Sequence, residues 1–203
     1  MVTRPRTRSS MTLEEFLRWP RIDEKPCLEF HDGRVEVKVS PQREHSLVEM
    51  RLTEALNRFS EPSVLGAAFP ELRCTFGGRS IVPDIVFQLD ANIPCEDRGE
   101  VLNESLLPPD IHIEIRSPGQ SARKPKEKLK HSIANGCLLG WYIDPERQTI
   151  DVHRPVMAPE RLSADGFLDG APVLPGFRLT VEEVFGWLVY RPKRRDDEGA
   201  DPR

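Results

Sequence analysis

The sequence has no hydrophobic run that approaches the ~20 residues needed to cross a bilayer, which predicts that the chain has no membrane span. No apolar stretch follows the basic residues at its start, so this region does not resemble a secretory signal. The cysteines include no Cys-x-x-Cys pair, which disfavours a zinc knuckle or a disulfide framework. They are Cys27, Cys74, Cys95 and Cys137. We therefore expect reduced thiols and a cytoplasmic location.

A strong excess of basic charge is also missing. The net charge is -4 at pH 7, from 29 Lys and Arg against 33 Asp and Glu, whereas proteins that coat nucleic acid by bulk electrostatics are usually strongly basic. Residues 123–131 form the densest basic stretch, which is either a solvated helix face or a phosphate-contacting one. No Gly-x-Ser-x-Gly motif supports a small-molecule hydrolase with a serine nucleophile.

The composition is that of one globular domain, since 203 residues with 38% hydrophobic and 31% charged side chains can bury a single core. No internal repeat or low-complexity linker divides the chain. We predict a disordered arm over 1–10, one domain over 11–190 and a disordered charged tail over 191–203.

Local patterns predict mixed α and β structure. Thr12 and Glu15 form a capping box at the start of a short helix, and Asp32-Gly33 predicts the turn of an early hairpin between 27–30 and 34–39. Apolar residues recur at helical spacing over 43–59. Further strands are predicted over 64–69, 72–76, 81–87, 111–116, 138–143 and 149–153, a loop over 90–109, and helices over 125–135 and 181–188.

Two acidic residues stand inside these apolar runs. Asp84 lies in Ile81-Val82-Pro83-Asp84-Ile85-Val86-Phe87, and Glu114 follows in Ile111-His112-Ile113-Glu114-Ile115. A buried, unpaired carboxylate costs several kcal/mol, and a divalent metal is a common compensation where two such strands are neighbours. Arg116 follows two residues after Glu114, and strand alternation predicts both side chains on one face. The spacing Pro-Asp, then Glu-x-Arg, is close to that of metal-dependent phosphodiesterases.

The chain resembles a known family at several ordered motifs. They are Leu28-Glu29-Phe30-His31-Asp32-Gly33-Arg34-Val35, Ser40-Pro41 with His45, Pro83-Asp84, Glu114-Ile115-Arg116-Ser117-Pro118, Lys128, Gly136, Trp141-Tyr142-Ile143-Asp144-Pro145 and Leu174-Pro175-Gly176-Phe177. In this order they are similar to the Uma-type family of restriction endonucleases, within the PD-(D/E)XK nuclease superfamily. The resemblance covers about Leu13 to Leu188.

The resemblance implies a restriction-endonuclease-like α/β (α+β) core, with a mixed central sheet flanked by helices and an N-terminal β-hairpin. It implies that Asp84 and Glu114 bind Mg²⁺ or Mn²⁺, and that Lys128 replaces the superfamily's strand lysine. The expected reaction is hydrolysis of phosphodiester bonds in DNA. Many nucleases of this superfamily act as dimers, which makes a homodimer an expectation by analogy.

Three positions depart from the family pattern. Arg116 stands where an aliphatic residue is usual, Ser132 where an aromatic one is, and Leu139-Gly140 where an acidic-aromatic pair is. Arg116 is either a cation restored to the strand, with an electrostatic role in catalysis, or a partner of Glu114 that blocks metal.

Purely structural roles remain open for each candidate. Asp84 can end a strand or cap a turn, Glu114 can pair with Arg116, and Lys128 stands on a lysine-rich helix. Glu29 and His45 are either additional ligands or bases, or folding residues of the hairpin and helix. The alternative function is a catalytically silent nuclease fold that binds nucleic acid or protein.

Overall fold

The computed structural model describes residues 11–189, so the predicted arm and tail lie outside the described residues. Four α-helices are present in this range: α1 (Leu13–Leu17), α2 (Arg43–Ser60), α3 (Arg123–Ala134) and α4 (Val181–Gly186). The strands are β1 (Leu28–His31), β2 (Arg34–Val37), β3 (Gly66–Pro70), β4 (Cys74–Phe76), β5 (Arg79–Ile81), β6 (Ile85–Leu89), β7 (Ile111–Ile115), β8 (Leu139–Asp144), β9 (Thr149–His153), β10 (Glu160–Leu162), β11 (Phe167–Asp169) and β12 (Arg178–Thr180).

The strands form a large mixed sheet and two smaller sheets. The large sheet has the order β10-β9-β8-β7-β6-β3, with β7 and β8 parallel and the other neighbours antiparallel. A second sheet has the order β2-β1-β5-β4, and β11 pairs with β12. The helix α3 connects the parallel strands, as a crossover between parallel neighbours requires. The predicted mixed sheet with flanking helices and an N-terminal hairpin is confirmed.

The hydrophobic core lies on one face of the large sheet. The inward residues alternate along β7, β8 and β9, as the pleat of a strand dictates. They are Ile111, Ile113, Ile115, Leu139, Trp141, Ile143, Ile150 and Val152. The apolar residues of α2 and α4 belong to the same cluster, which is why the helical spacing over 43–59 produces a helix on this sheet.

The opposite face of the large sheet is covered by α3. Glycine at position 140 permits this approach, because a Cβ there would lie 2.9 Å from Leu129 Cδ2 of α3. The residues of β7, β8 and β9 that point to this side are largely polar, and they include His112 and Glu114. The polar face therefore meets α3 and the hairpin β1–β2, where the candidate site lies.

The predicted local signals agree with the structure at most positions. The Thr12 capping box is present, and Asp32 and Gly33 both have positive φ, 48° and 81°, as a tight hairpin turn requires. One expectation was wrong. The run 81–87 is not a single strand, because β5 ends at Ile81 and β6 begins at Ile85, which places Asp84 in the break between the two sheets.

Candidate active site

A cleft of ≈ 1130 Å³ separates the hairpin β1–β2 from α3. Its lining includes most of the candidates from the sequence: Glu29, His45, Asp84, Glu114 and Lys128. It also includes Lys38, which follows β2. The hairpin, the first core helix, the break between β5 and β6, β7 and α3 thus all contribute side chains to one concave surface.

Asp84 is only 4% exposed, and its two carboxylate oxygens have different partners. Oδ2 accepts a hydrogen bond of 2.7 Å from the backbone N–H of Ile115, which fixes Asp84 beside the end of β7. Oδ1 lies 3.0 Å from Lys38 Nζ and 3.4 Å from His45 Nε2. Burial acts to raise the pKa of Asp84, but Lys38 and His45 outweigh it and hold the pKa well below its usual range.

Glu114 is 2% exposed on the polar face of β7. Its Oε1 lies 2.8 Å from Lys128 Nζ and 2.8 Å from His112 Nε2. Burial raises the pKa of Glu114 to about 8, against the lowering effect of Lys128. The lysine therefore compensates this carboxyl only in part, and additional positive charge in the cleft would stabilise its ionised form.

His112 lies beside Glu114 on the polar face of β7 and contacts its carboxyl group. Its Nδ1 lies 2.6 Å from Ser132 Oγ on α3, the position where the resembled family has an aromatic residue. Burial and the charge of Lys128 lower the pKa of His112 to about 3, so the ring is neutral and has one donor and one acceptor nitrogen. The hydrogen-bonded series Ser132–His112–Glu114 orients the Glu114 carboxyl without placing another charge beside it.

Lys128 reaches the cleft from α3 and is 6% exposed. Its Nζ contacts Glu114, Glu29 Oε1 at 3.0 Å and the carbonyl oxygen of Val82 at 3.2 Å. Burial acts to lower the pKa of Lys128, but the carboxylates around it raise the pKa above its ordinary value. Lys128 is therefore a permanent cation beside both Glu114 and the break that carries Asp84.

Side chains satisfy the backbone of the break between β5 and β6, in place of a strand ladder. The N–H of Val82 donates to Glu29 Oε1 at 2.7 Å, and its carbonyl accepts from Lys128 and, at 3.1 Å, from Lys38. The carbonyl of Pro83 accepts from Lys38 at 3.3 Å. Because Pro83 has no N–H to donate to a strand, this segment depends on the hairpin and α3 for its position. Glu29 thus positions Asp84 in addition to lining the cleft.

His45 lies between Asp84 and the turn after β7. Its Nδ1 is 3.2 Å from Ser117 Oγ. Although burial lowers the pKa of His45, the hydrogen bond and charge of Asp84 raise it above the ordinary value. Asp84 thus favours the charged form of the ring, which is a poor general base.

Arg116 is not part of this cluster. Its guanidinium contacts Asp144 Oδ2 at 3.1 Å and Glu146 Oε2 at 2.8 Å, at the end of β8. It therefore neither pairs with Glu114 nor lines the cleft, and it ties the turn after β7 to the turn after β8.

The donor set fits a hard divalent cation bound by few protein ligands. Within residues 11–189, no group of three or more His, Cys, Asp or Glu side chains is arranged to hold a metal ion. Mg²⁺ needs no such cage, because it is usually bound through one or two carboxylates together with water and substrate phosphates. Asp84 and Glu114 supply two carboxylates to one cleft, and the raised pKa of Glu114 indicates that its burial is incompletely compensated.

Two residues of the site were missed by sequence reasoning. His112 had a readable signal, since alternation along β7 places it on the same face as Glu114. Lys38 had no local signal, because its contacts lie 44 to 46 positions away in the sequence, at Val82, Pro83 and Asp84.

Comparison with known proteins agrees with this geometry. The Uma2 family model, described as "Putative restriction endonuclease", matches residues 13–182. A crystal structure at 1.96 Å of a "putative nuclease belonging to DUF820" from Anabaena variabilis ATCC 29413 is 36% identical to this chain, with a TM-score of 0.85. The match covers 89% of this chain and 100% of that one. Comparison with curated proteins gives no match.

No helix within the described range is long and apolar enough to span a membrane. The family match extends over the elements that build the cleft, from the start of α1 into α4, and the structural match has the same fold. The resemblance read from the sequence is therefore confirmed, and the chain belongs to the Uma2 family.

Proposed function

We propose that this protein is a metal-dependent endonuclease that hydrolyses phosphodiester bonds in DNA, with Mg²⁺ or Mn²⁺ as the cofactor. One observation carries the proposal: two carboxylates that are 4% and 2% exposed, Asp84 and Glu114, open into the same cleft as the buried Lys128. Burial of three ionisable side chains has a large desolvation cost. Such clusters are typical of functional sites, where the groups act on a substrate.

Asp84 and Glu114 are the proposed metal ligands. When bound, the metal polarises the scissile phosphate and lowers the pKa of a bound water. The Ile115 N–H keeps one oxygen of Asp84 in place, and His112 keeps the Glu114 carboxyl oriented. Both ligands are thus held by hydrogen bonds before a metal arrives, which limits the reorganisation that binding requires.

Lys128 is the proposed catalytic cation. Because the surrounding carboxylates raise its pKa, it stays protonated and acts through charge, stabilising negative charge that develops on the phosphate. His45 is proposed as a second, weaker source of positive charge beside Asp84. Glu29 is a positioning residue, since it holds both Lys128 and the backbone of Val82.

The walls of the cleft are compatible with a phosphate backbone. Cationic side chains line it from the hairpin, the start of β5 and α3, and they include Arg34, Arg79, Arg123, Lys124 and Lys130. Acidic residues on the same walls pair with some of them, as Glu36 does with Lys124 at 2.8 Å. Such contacts position a nucleic acid without reading its sequence. The homodimer stays a prediction.

A catalytically silent binding protein is the second candidate. It is favoured by the fact that a lysine already contacts each carboxylate, Lys38 at Asp84 and Lys128 at Glu114. In such a protein the lysines would be permanent counter-ions, and the cleft would bind its partner without cleaving it.

Calorimetric titration with Mn²⁺ and plasmid nicking in the same buffer distinguish the two candidates. The variants are Asp84→Asn, which preserves the shape of the side chain, and Asp97→Asn, an exposed control outside the cleft with the same charge change. We expect metal binding and nicking in wild type and Asp97→Asn, and loss of both in Asp84→Asn. A folded wild type that binds no Mn²⁺ and nicks no DNA would support the silent protein.

A further inference from the structure

Lys38 occupies an unusual position for a lysine at the end of a hairpin. Its side chain is only 9% exposed, and its ammonium group contacts Asp84 Oδ1 at 3.0 Å. It also donates to the carbonyl oxygens of Val82 and Pro83. Burial of a lysine side chain is rare unless its charge is paired, and here Asp84 is the paired carboxylate.

Lys38 contacts the oxygen of Asp84 that has no backbone hydrogen bond, and His45 Nε2 lies 3.4 Å from the same oxygen. The other oxygen of Asp84, Oδ2, is committed to the N–H of Ile115. A divalent cation at Oδ1 would lie close to the ammonium group of Lys38, and two like charges at such a distance in a buried site repel strongly. Metal binding at Asp84 therefore requires Lys38 to withdraw.

The structure offers Lys38 a place to withdraw to. Glu71 Oε1 lies 3.6 Å from Lys38 Nζ. Glu71 is 21% exposed and is also bound by Lys25, at 2.6 Å through Oε2. A short movement of the ammonium group from Asp84 to Glu71 would preserve a salt bridge and release Oδ1.

We propose that Lys38 is a resident counter-ion of Asp84, which a divalent cation must displace toward Glu71 before the site is loaded. The proposal rests on the proposed metal site. It gives the N-terminal hairpin a role in setting the metal affinity: Lys38 stabilises the metal-free cleft and lowers its affinity for metal. Glu71, which takes no part in metal binding itself, favours the loaded state by accepting Lys38.

Mn²⁺ affinity measured by calorimetry tests the displacement directly. Lys38→Met removes the charge with a similar chain length, and we expect Mn²⁺ to bind about tenfold more tightly than to wild type. Arg98→Met is the control with the same charge change, because Arg98 is an exposed cation outside the cleft. Its affinity for Mn²⁺ should stay within about twofold of wild type.

The outcomes separate this proposal from the metal site on which it rests. Tighter binding by Lys38→Met, or binding by that variant alone, supports the counter-ion role. If wild type binds Mn²⁺ and Lys38→Met binds equally or more weakly, the counter-ion role is overturned and the metal site stands. If neither protein binds Mn²⁺, both proposals are overturned.

Glu71→Gln provides a second test that retains Lys38 and its contact with Asp84. Loss of the accepting carboxylate should weaken Mn²⁺ binding, and this effect should disappear when Lys38→Met is already present, because no ammonium group then needs a new partner. An equal effect in both backgrounds indicates simple long-range electrostatics and overturns the displacement. If Lys38→Met fails to fold, unchanged Mn²⁺ binding by Glu71→Gln alone overturns it.

Discussion

The two faces of strands β7, β8 and β9 are buried to a similar degree, but one belongs to the hydrophobic core and the other carries polar residues of the candidate site. On one face, Ile113 and Trp141 are 0% exposed and pack into the main hydrophobic core with α2 and α4. On the other face, His112 is also 0% exposed and Glu114 2%, and both are held by polar contacts to α3. Burial alone therefore does not tell the structural face from the candidate active site.

The difference lies in how each face offsets the cost of burial. The apolar face gains from removal of hydrocarbon from water, roughly 25 cal/mol for each Å². The polar face needs a partner for nearly every donor and charge, and α3 supplies Lys128 and Ser132 for this purpose. Substitutions on the apolar face should thus lower stability, and those on the polar face should change binding and catalysis.

The largest expected contrast is between two neighbouring residues of β8. Trp141→Ala should lower the free energy of unfolding by about 3–5 kcal/mol, because it leaves a cavity beside Phe177. The ring of Phe177 stacks on that of Trp141, with 6.2 Å between the ring centroids. Tyr142→Phe should change it by less than about 1 kcal/mol, since the buried Tyr142 Oη has no hydrogen-bond partner among residues 11–189. Urea unfolding measures both, and similar losses would contradict the contrast between faces.

On the polar face, Lys128→Met should act on catalysis first. We expect the rate of plasmid nicking at saturating Mn²⁺ to fall about 10²-fold, because the cation beside Glu114 is lost. Arg98→Met, which removes an exposed cation outside the cleft, should nick at nearly the wild-type rate. A wild-type rate for Lys128→Met would remove this lysine from the proposed mechanism.

Arg116→Met should affect stability more than nicking. The substitution leaves Asp144, which is buried, without one of its two arginine partners, and it removes a tie between the turns after β7 and β8. We expect a lower urea midpoint, by less than for Trp141→Ala, and a nicking rate reduced far less than in Lys128→Met. A loss of nicking as large as that of Lys128→Met, in a protein with the wild-type midpoint, would restore Arg116 as a catalytic candidate.

The smallest expected effect is an acid-dependent one at Asp144. Burial acts to raise the pKa of this carboxyl, but hydrogen bonds from Arg147 and Arg116 outweigh it and hold the pKa below its ordinary value. The stabilisation is present above the pKa of the unfolded chain and is lost as the pH falls through the lower folded pKa. Stability measured between about pH 5 and pH 3 should fall less steeply in Asp144→Asn than in wild type, and equal slopes would contradict this.

Much of the fold could be predicted because its signals are local. The alternation through Ile111, Ile113 and Ile115 assigns one face of β7 to the core, and the helical spacing in α2 assigns that helix to the same side. The break at Asp84 was missed, although Pro83 is a recognised sign that a ladder is interrupted. The runs on both sides of Pro83-Asp84 are apolar, so they resemble one continuous strand, although β5 and β6 belong to different sheets.

The sequence by itself determined the family, the N-terminal hairpin, the helices and the side of the sheet on which Glu114 lies, because helical spacing, period-2 alternation and turn residues act between near neighbours in the chain. Only the tertiary structure decided which cations meet which carboxylates. Lys38 contacts Asp84, Lys128 contacts Glu29 across 99 positions, and Arg116 turns to Asp144. These pairs depend on long-range packing of the hairpin and α3 around the break, which no local pattern specifies.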